Sequence, residues 1–376
     1  MKKKVVVLYN NFFTPDGKQN SVGGIQTYLR NLLPYLVELG YIVFLFQKSD
    51  ISFEKDFQGV RVFGNVLKSQ GSAMQDEELL KQATLYADPM YDVLLFATSS
   101  NVVKNSFKQS IMIQHGITWD TPKHYVYSHK RNIKQVFLKA ILAYRIVKNL
   151  DCSKIIVCVD YNFINWYRTQ VAYPEKVMFA IPNATEIPEA CYVKSDKINI
   201  IFARRFQEYR GTRLFTNVAI QLLEKYPDIS ITIAGSGPDE KFMRDKLNMY
   251  KNVNFTLYES VDSLQMHREK NIAVVPTLGS EGTSLSLLEA MAAGCAVVAT
   301  NVGGMTNIIL DGYNGYLVNP LEKEVFSAME KLILNRSLRE RLGYKAYETV
   351  KSSFSLEKWK ENWKQVMQYI ENSLSN

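Results

Sequence analysis

Two doubly wound, Rossmann-like α/β domains facing a central cleft are what this sequence predicts, and three observations carry that reading. The chain has 376 residues, too many for one ordinary core and suited to two. Short apolar runs alternate with longer helical patterns along its length, the rhythm of strand–helix–strand units. Most of those apolar runs are continuous Val, Ile and Leu, as parallel strands buried on both faces require.

The elements follow in order. Met1-Lys2-Lys3-Lys4 before Val5-Val6-Val7-Leu8-Tyr9 resembles the start of a signal peptide, but the apolar run stops at Asn10-Asn11. That run is too short for a signal segment and reads as a first buried strand. Further strands are expected at Ile42–Gln47, Val93–Ala97, Ile111–Gln114, Ile155–Val159 and Val177–Ile181. A second series is expected at Ile198–Ala203, Ser230–Ala234, Asn254–Leu257, Ile272–Pro276, Ala296–Thr300 and Gly315–Val318. Helical stretches such as Thr27–Leu39, Leu214–Tyr226 and Leu285–Ala293 supply the crossovers. The Pro-containing stretch Ile181–Pro188 marks the boundary, which gives domains at 1–190 and 191–354. From Phe354 to Ser373 the residues Leu356, Trp359, Trp363, Val366 and Ile370 fall at helix spacing. A helix there, within 355–376, is expected to pack back on the N-terminal domain.

Composition narrows the function. A hydrophobic content of 47% with 22% charged residues describes a soluble globular protein, and no stretch reaches the length of a membrane span. Four cysteines (Cys152, Cys158, Cys191 and Cys295) form no CxxC pair, which argues against a zinc site or a disulfide framework and for a reduced, cytoplasmic setting. The formal charge of +8 is concentrated: Val93–Leu150 holds nine Lys or Arg against one acid, Asp120, and so accounts for all of it. A localised basic patch predicts an anionic partner.

The most informative stretch runs from Ile272 to Pro320. A strand ends in Thr277-Leu278-Gly279-Ser280-Glu281-Gly282-Thr283-Ser284, and a helix carrying Glu289 follows. The free N–H groups of that helix start, near Gly282 to Leu285, favour a phosphate. Carboxylates such as Glu281 and Glu289 suit sugar and ribose hydroxyls, because each accepts charge-assisted hydrogen bonds. Taken alone, the pair also reads as a helix N-terminal charge and an ordinary helix residue.

Glu281, seven residues, then Glu289, within EGTSLSLLEAMAAGCAVVAT, resembles the E-x7-E motif of retaining glycosyltransferases of the GT-B fold, and in particular their family 4 (group 1). That resemblance implies a nucleotide diphosphate sugar as donor, with Glu281 at the sugar, Glu289 at the ribose, and the backbone of Gly282, Thr283, Ser284 and Leu285 at sugar and phosphate. It makes 191–354 the donor-binding domain and 1–190 the acceptor side. Ala203-Arg204-Arg205-Phe206-Gln207-Glu208-Tyr209-Arg210-Gly211 is similar to the family's G-R-x4-K-G, with Arg205 as the motif arginine and Arg210 in place of lysine. Two cations there would hold the diphosphate and stabilise it as it leaves. Gly235-Ser236-Gly237-Pro238 resembles the family's G-x-G-P turn, and Tyr258 stands where relatives line the base pocket. In the first domain, Gly23-Gly24 before a helix and Gln114-His115-Gly116 after a strand resemble segments that the family places near the reacting centre.

The implied reaction is hexosyl transfer with retention, onto a hydroxyl of a glycan or lipid-linked sugar, in bacterial surface polysaccharide synthesis. A sugar-nucleotide epimerase of the same fold and a non-enzymatic sugar-binding scaffold are the alternatives. No cofactor is expected, since the nucleotide sugar is a substrate. No Asp-x-Asp pair occurs, so a metal-independent site is expected. No nucleic-acid motif accompanies the basic patch. Within it, Thr121–Leu150 has seven Lys or Arg and no acid. A helix from near Lys130 would set Arg131, Lys134, Arg145 and Lys148 in a sector of about 100°. Phe137, Leu138 and Ile141 fall in or beside that sector, and Leu142 and Ile146 point elsewhere. Such a face suits an anionic membrane surface, which would make the enzyme peripheral on the inner face. Acceptor-phosphate binding and a plain solvated helix are the competing readings.

Overall fold

The computed structural model describes residues 2–21, 23–117, 133–170, 176–258, 263–279 and 281–375. They form two compact units. Unit 1 takes its residues from 1–115, 131–181 and 360–376, and unit 2 from 182–359 together with Gly116 and Ile117.

Unit 1 is built on β1 (Lys4–Leu8), β2 (Ile42–Lys48), β3 (Phe53–Phe57), β4 (Val60–Asn65), β5 (Val93–Phe96), β6 (Gln109–Gln114), β7 (Ile155–Cys158) and β8 (Val177–Ala180). Their order in the sheet is β3-β4-β2-β1-β5-β6-β7-β8. Every pairing is parallel except β3 with β4. The central runs Val5–Leu8, Val93–Phe96 and Ile155–Cys158 are buried along their whole length, which is why they contain no polar residue. Helices α1 (Gly24–Glu38), α2 (Ser72–Thr84), α3 (Ile133–Leu150) and α4 (Tyr161–Gln170) lie between the strands in sequence.

The β3–β4 hairpin escapes the sequence pattern. Its turn is Gln58-Gly59, both at positive φ, the backbone of a tight two-residue hairpin. Phe53 and Phe57 flank three charged residues, Glu54, Lys55 and Asp56, so no continuous apolar run advertises the strand. Phe57 packs its ring edge-on to Phe12, and Phe53 to Phe13.

Unit 2 is a six-stranded, all-parallel sheet in the order β11-β10-β9-β12-β13-β14. Its strands are β9 (Asn199–Ala203), β10 (Ser230–Ala234), β11 (Val253–Thr256), β12 (Ile272–Val275), β13 (Ala296–Thr300) and β14 (Tyr316–Val318). The helices are α5 (Thr212–Lys225), α6 (Glu240–Leu247), α7 (Ser263–Arg268), α8 (Leu285–Ala292), α9 (Glu322–Leu334) and α10 (Arg336–Ser353). Successive strand residues point to opposite layers. Ile200 and Phe202 join Phe215, Val218 and Met329 of α5 and α9. Ile201 and Ala203 join Leu288, Met291 and Ala346 of α8 and α10. This is the doubly wound arrangement, and it leaves the carboxyl ends of β9, β10 and β12 at one edge, where such sheets bind ligands.

The final helix, α11, spans Leu356–Ser375. From Lys360 onward it belongs to unit 1. Trp363 is fully buried and donates its indole N–H to the Tyr28 hydroxyl of α1 at 2.9 Å. Tyr41 donates to Glu371 at 2.6 Å, and Lys360 pairs with Glu38 at 3.0 Å.

Candidate active site

In unit 2 the site begins where β9 ends. The N–H of Arg204 still donates to the Ala234 carbonyl at 2.9 Å, so this residue stays in sheet register and its side chain is buried at the sheet's mouth. Its Nη2 lies 2.5 Å from Oε2 of Glu281, and its Nη1 donates to the Thr277 hydroxyl. Thr277 in turn donates to the same Glu281 oxygen at 3.0 Å. Arg210, on the short turn Glu208–Arg210, donates to that oxygen as well. Burial works against a charge on Glu281, but Arg204 and Arg210 outweigh it and hold the carboxyl below its usual range.

The backbone around this cluster is fitted closely. The Glu281 carbonyl accepts the Gly304 N–H at 2.8 Å. At Gly303, where φ is 57°, a Cβ would run into that same carbonyl. A Cβ on Gly235 would collide with the Arg204 carbonyl, so this turn shapes the arginine's seat. Ser284 stands at the N-cap position of α8 without a side-chain cap bond, and Thr283 and Ser284 are both buried. The first N–H groups of α8 lack intrahelical acceptors by geometry, and the helix follows directly from the loop that carries Glu281.

Glu289 lies on α8, which is buried from Leu287 through Ala292. The Tyr258 hydroxyl donates to its Oε2. Burial pushes the Glu289 carboxyl up to about 7, against the hydrogen bonds from Tyr258 and Ser263, which lower it. The two glutamates of one motif thus sit in opposite electrostatic settings.

Arg205, the arginine assigned from the motif to the diphosphate, is exposed, whereas its neighbour Arg204 is buried and pairs with Glu281. A glycine is not needed at 204, because Gln58 is the one non-glycine at positive φ among the described residues. Arg204 and Thr277 are the residues that the sequence reading passed over. Their signal was position, one residue past a strand and at the start of the E-x7-E loop.

In unit 1, Gly23 caps α1 and Gly24 begins it. Tyr28, further along the same helix, meets His115 edge-on, with ring centroids 5.4 Å apart. The His115 Nε2 is 2.9 Å from the Ala97 carbonyl, which can only accept, so Nε2 carries the proton. Burial drives the imidazole's pKa down to about 4, so the ring is neutral near pH 7. On α3, Phe137 is 66% exposed and Leu138 and Ile141 each 48%, beside exposed Lys134, Arg145 and Lys148. Leu142 and Ile146 are half-buried, so the helix docks by another side. Arg131 and the stretch before it lie outside the described residues.

Residues 184–349 match the family model of the glycosyl transferases group 1. An uncharacterised glycosyltransferase of Methanocaldococcus jannaschii is 24% identical over 216 residues, 56% of this chain and 55% of that protein. D-inositol 3-phosphate glycosyltransferase of Paenarthrobacter aurescens is 32% identical over 160 residues, 40% of this chain and 39% of that protein. The chain therefore spans about half or less of these relatives' lengths. Among solved structures, sucrose-phosphate synthase from Thermosynechococcus elongatus superposes with a TM-score of 0.77 at 15% identity, covering 99% of this chain and all (100%) of that one. Anabaena HepE, in complex with UDP and glucose, gives 0.71 at 15% identity, covering 97% and 99%. Such likenesses show the GT-B fold, and residues 184–349, most of unit 2, are similar to the glycosyl transferases group 1.

Proposed function

We propose that the chain is a retaining glycosyltransferase that moves a hexose from a nucleotide diphosphate sugar to a hydroxyl of a glycan or lipid-linked acceptor. The observation that carries this is the buried Arg204–Glu281–Arg210 cluster at the strand ends, beside the start of α8. The guanidiniums of buried Arg204 and half-buried Arg210 are already held in place by Glu281 and are ready for a diphosphate without further ordering. The HepE structure with UDP and glucose supports a nucleotide sugar as ligand of this fold.

In the reaction the bond from the anomeric carbon to the diphosphate oxygen breaks, and its electron pair leaves with the nucleotide. The acceptor oxygen bonds the same carbon from the same face, and its proton passes to the departing phosphate oxygen. Arg204 and Arg210 stabilise the charge that develops there, and the N–H groups at the start of α8 assist. Metal is not required in this scheme. Glu289 takes the ribose. The resemblance assigns Gly23, Gly24 and His115 to the reacting centre, and a neutral imidazole suits an uncharged sugar hydroxyl better than a phosphate.

The exposed face of α3 docks this enzyme on an anionic membrane surface, where a lipid-linked acceptor is found. Charge complementarity favours this over a plain solvated helix, since Phe137, Leu138 and Ile141 are not folded inward. No helix among the described residues is long and apolar enough to cross a membrane. A cytoplasmic enzyme of surface polysaccharide synthesis fits these features.

The deciding experiment offers a panel of nucleotide sugars to the full chain in EDTA and follows nucleotide release and product by NMR. An α-linked product from an α-linked donor, formed in EDTA, is expected. An inverted product removes the retaining mechanism, and activity that returns only with a divalent ion removes metal independence. Conversion of the donor sugar without any acceptor identifies an epimerase instead.

A further inference from the structure

Glu289 is not alone on α8. Tyr258 stands just beyond β11, 31 residues earlier in the chain, and its hydroxyl donates to Glu289 Oε2. Ser263, at the start of α7, reaches the same carboxylate. A carboxylate offers about four acceptor sites. Among the described residues Tyr258 and Ser263 take two of them, which leaves acceptor capacity for a ribose with two vicinal hydroxyls. We propose that Tyr258 is a positioning residue for the donor nucleotide: its hydroxyl fixes the Glu289 carboxylate and keeps it an acceptor toward the ribose. This rests on the assignment of Glu289 to the ribose made above.

The physical need for such a residue is visible in the surroundings. Glu289 is itself buried, on a stretch of α8 that is buried from Leu287 through Ala292, and burial favours the protonated acid. A protonated carboxyl turns one acceptor into a donor and would spoil the match to two hydroxyls. Hydrogen bonds from Tyr258 and Ser263 pull the other way.

Among the described residues little else in the vicinity does so. Among the described residues, the one cation acting on the pair is Arg204, and it acts on Tyr258. His267 on α7 is buried and neutral, with its pKa down to about 4. α10 presents Ala346 and Val350 to this layer, and β12 and β13 present Ala273, Val275, Val297 and Ala299.

Equilibrium binding of UDP, GDP and ADP to the full chain, measured calorimetrically from about pH 6 to about pH 9, tests the proposal. For the wild type, affinity for the nucleotide that binds should rise as Glu289 ionises near pH 7. In Tyr258→Phe this limb should move alkaline by about one pH unit, giving roughly 5-fold weaker binding at about pH 7, approaching roughly 10-fold at about pH 6, that recovers at high pH. Ser263→Ala should move it in the same direction, and it keeps the test intact should the tyrosine variant fail to fold. Glu289→Gln should weaken binding and abolish the limb. If Glu289→Gln weakens binding while the tyrosine and serine variants retain the wild-type profile, or weaken equally at every pH, the positioning role is overturned and the ribose assignment survives. If Glu289→Gln binds like the wild type, or no nucleotide binds, the ribose assignment is wrong and the proposal falls with it.

Discussion

At the strand ends of unit 2, two guanidiniums and a carboxylate share one buried hydrogen-bond network. Unit 1 instead sets Lys134, Arg145 and Lys148 on the outside of α3, among exposed aromatic and aliphatic side chains. Both units are wound from the same strand–helix repeat, so the sheet does not dictate the difference. What differs is how far each charge is removed from water. Buried cations held by a neighbouring acid are few, fixed and costly to lose, and they suit a small, compact anion. Exposed cations on a helix are cheap, mobile and additive, and they suit an extended surface.

The largest expected effect breaks the buried side of that comparison. Arg204→Ala strands Glu281 next to a single remaining arginine, and removing one partner of a buried pair costs about 3–5 kcal/mol. The thermal midpoint of unit 2 should fall, and nucleotide affinity should drop by roughly 10- to 150-fold, the worth of one hydrogen bond to a charged group. Arg205→Ala should leave both near wild type. Equal losses in the two variants, seen by calorimetry, would return the diphosphate role to Arg205. Arg210→Lys should be milder than Arg210→Ala, because the charge is kept and only the planar fork is lost.

The exposed side is tested by changing Lys134, Arg145 and Lys148 together to Gln. At about 1 kcal/mol per cation near an anionic leaflet, co-sedimentation with phosphatidylserine or phosphatidylglycerol vesicles should weaken by about 100-fold at low salt. Raising the salt should weaken the wild type in the same way. Nucleotide affinity should not change. Binding that is equal on neutral and anionic vesicles, or missing on both, would refute the docking surface and leave acceptor-phosphate binding for the patch.

The smallest effect concerns acid. His115 in unit 1 and His267 in unit 2 both have folded pKa values near 4, against 6.5 unperturbed. The unfolded chain takes these protons below about 6.5 and the folded chain only near 4. Their stabilisation is complete above that upper value and is lost as pH falls through the window. Glu289, raised from 4.5 to about 7, has the opposite sign: the folded state takes its proton first, so acidification between those values favours folding of unit 2. Unit 2 thus carries a partial offset for His267 that His115 lacks in unit 1. Hydrogen exchange between about pH 7 and about pH 4.5 should show unit 1 loosening sooner, and Glu289→Gln should narrow the gap. An identical response of the two units would contradict this balance.

Much of unit 2 was legible from the sequence because its chemistry is local. Glu281 and Glu289 are joined by one loop and one helix, and the strands are unbroken apolar runs. What was hidden depends on side-chain direction or on distant contact. Counting along a motif cannot tell which of Arg204 and Arg205 faces the sheet's mouth, since that follows from the Arg204 N–H staying paired with Ala234. The bond from Tyr258 to Glu289 crosses between elements and leaves no spacing to read. In unit 1, β3 was concealed by its alternating acids and lysine. On α3, helical spacing could not say that Phe137 and Ile141 stay exposed while Leu142 and Ile146 face inward.

The bonds from α11 into unit 1 set an order of events during synthesis. Trp363 to Tyr28, Tyr41 to Glu371 and Lys360 to Glu38 join residues 335, 330 and 322 positions apart. Unit 2 draws almost all of its residues from the unbroken stretch 182–359, and can close as soon as that stretch has left the ribosome. Unit 1, although begun first, keeps the place of the Trp363 indole unfilled until 360–376 follow. Chains halted before Lys360 should therefore carry a protease-resistant unit 2 beside a unit 1 that is still readily cut, the reverse of the usual first-made, first-folded order.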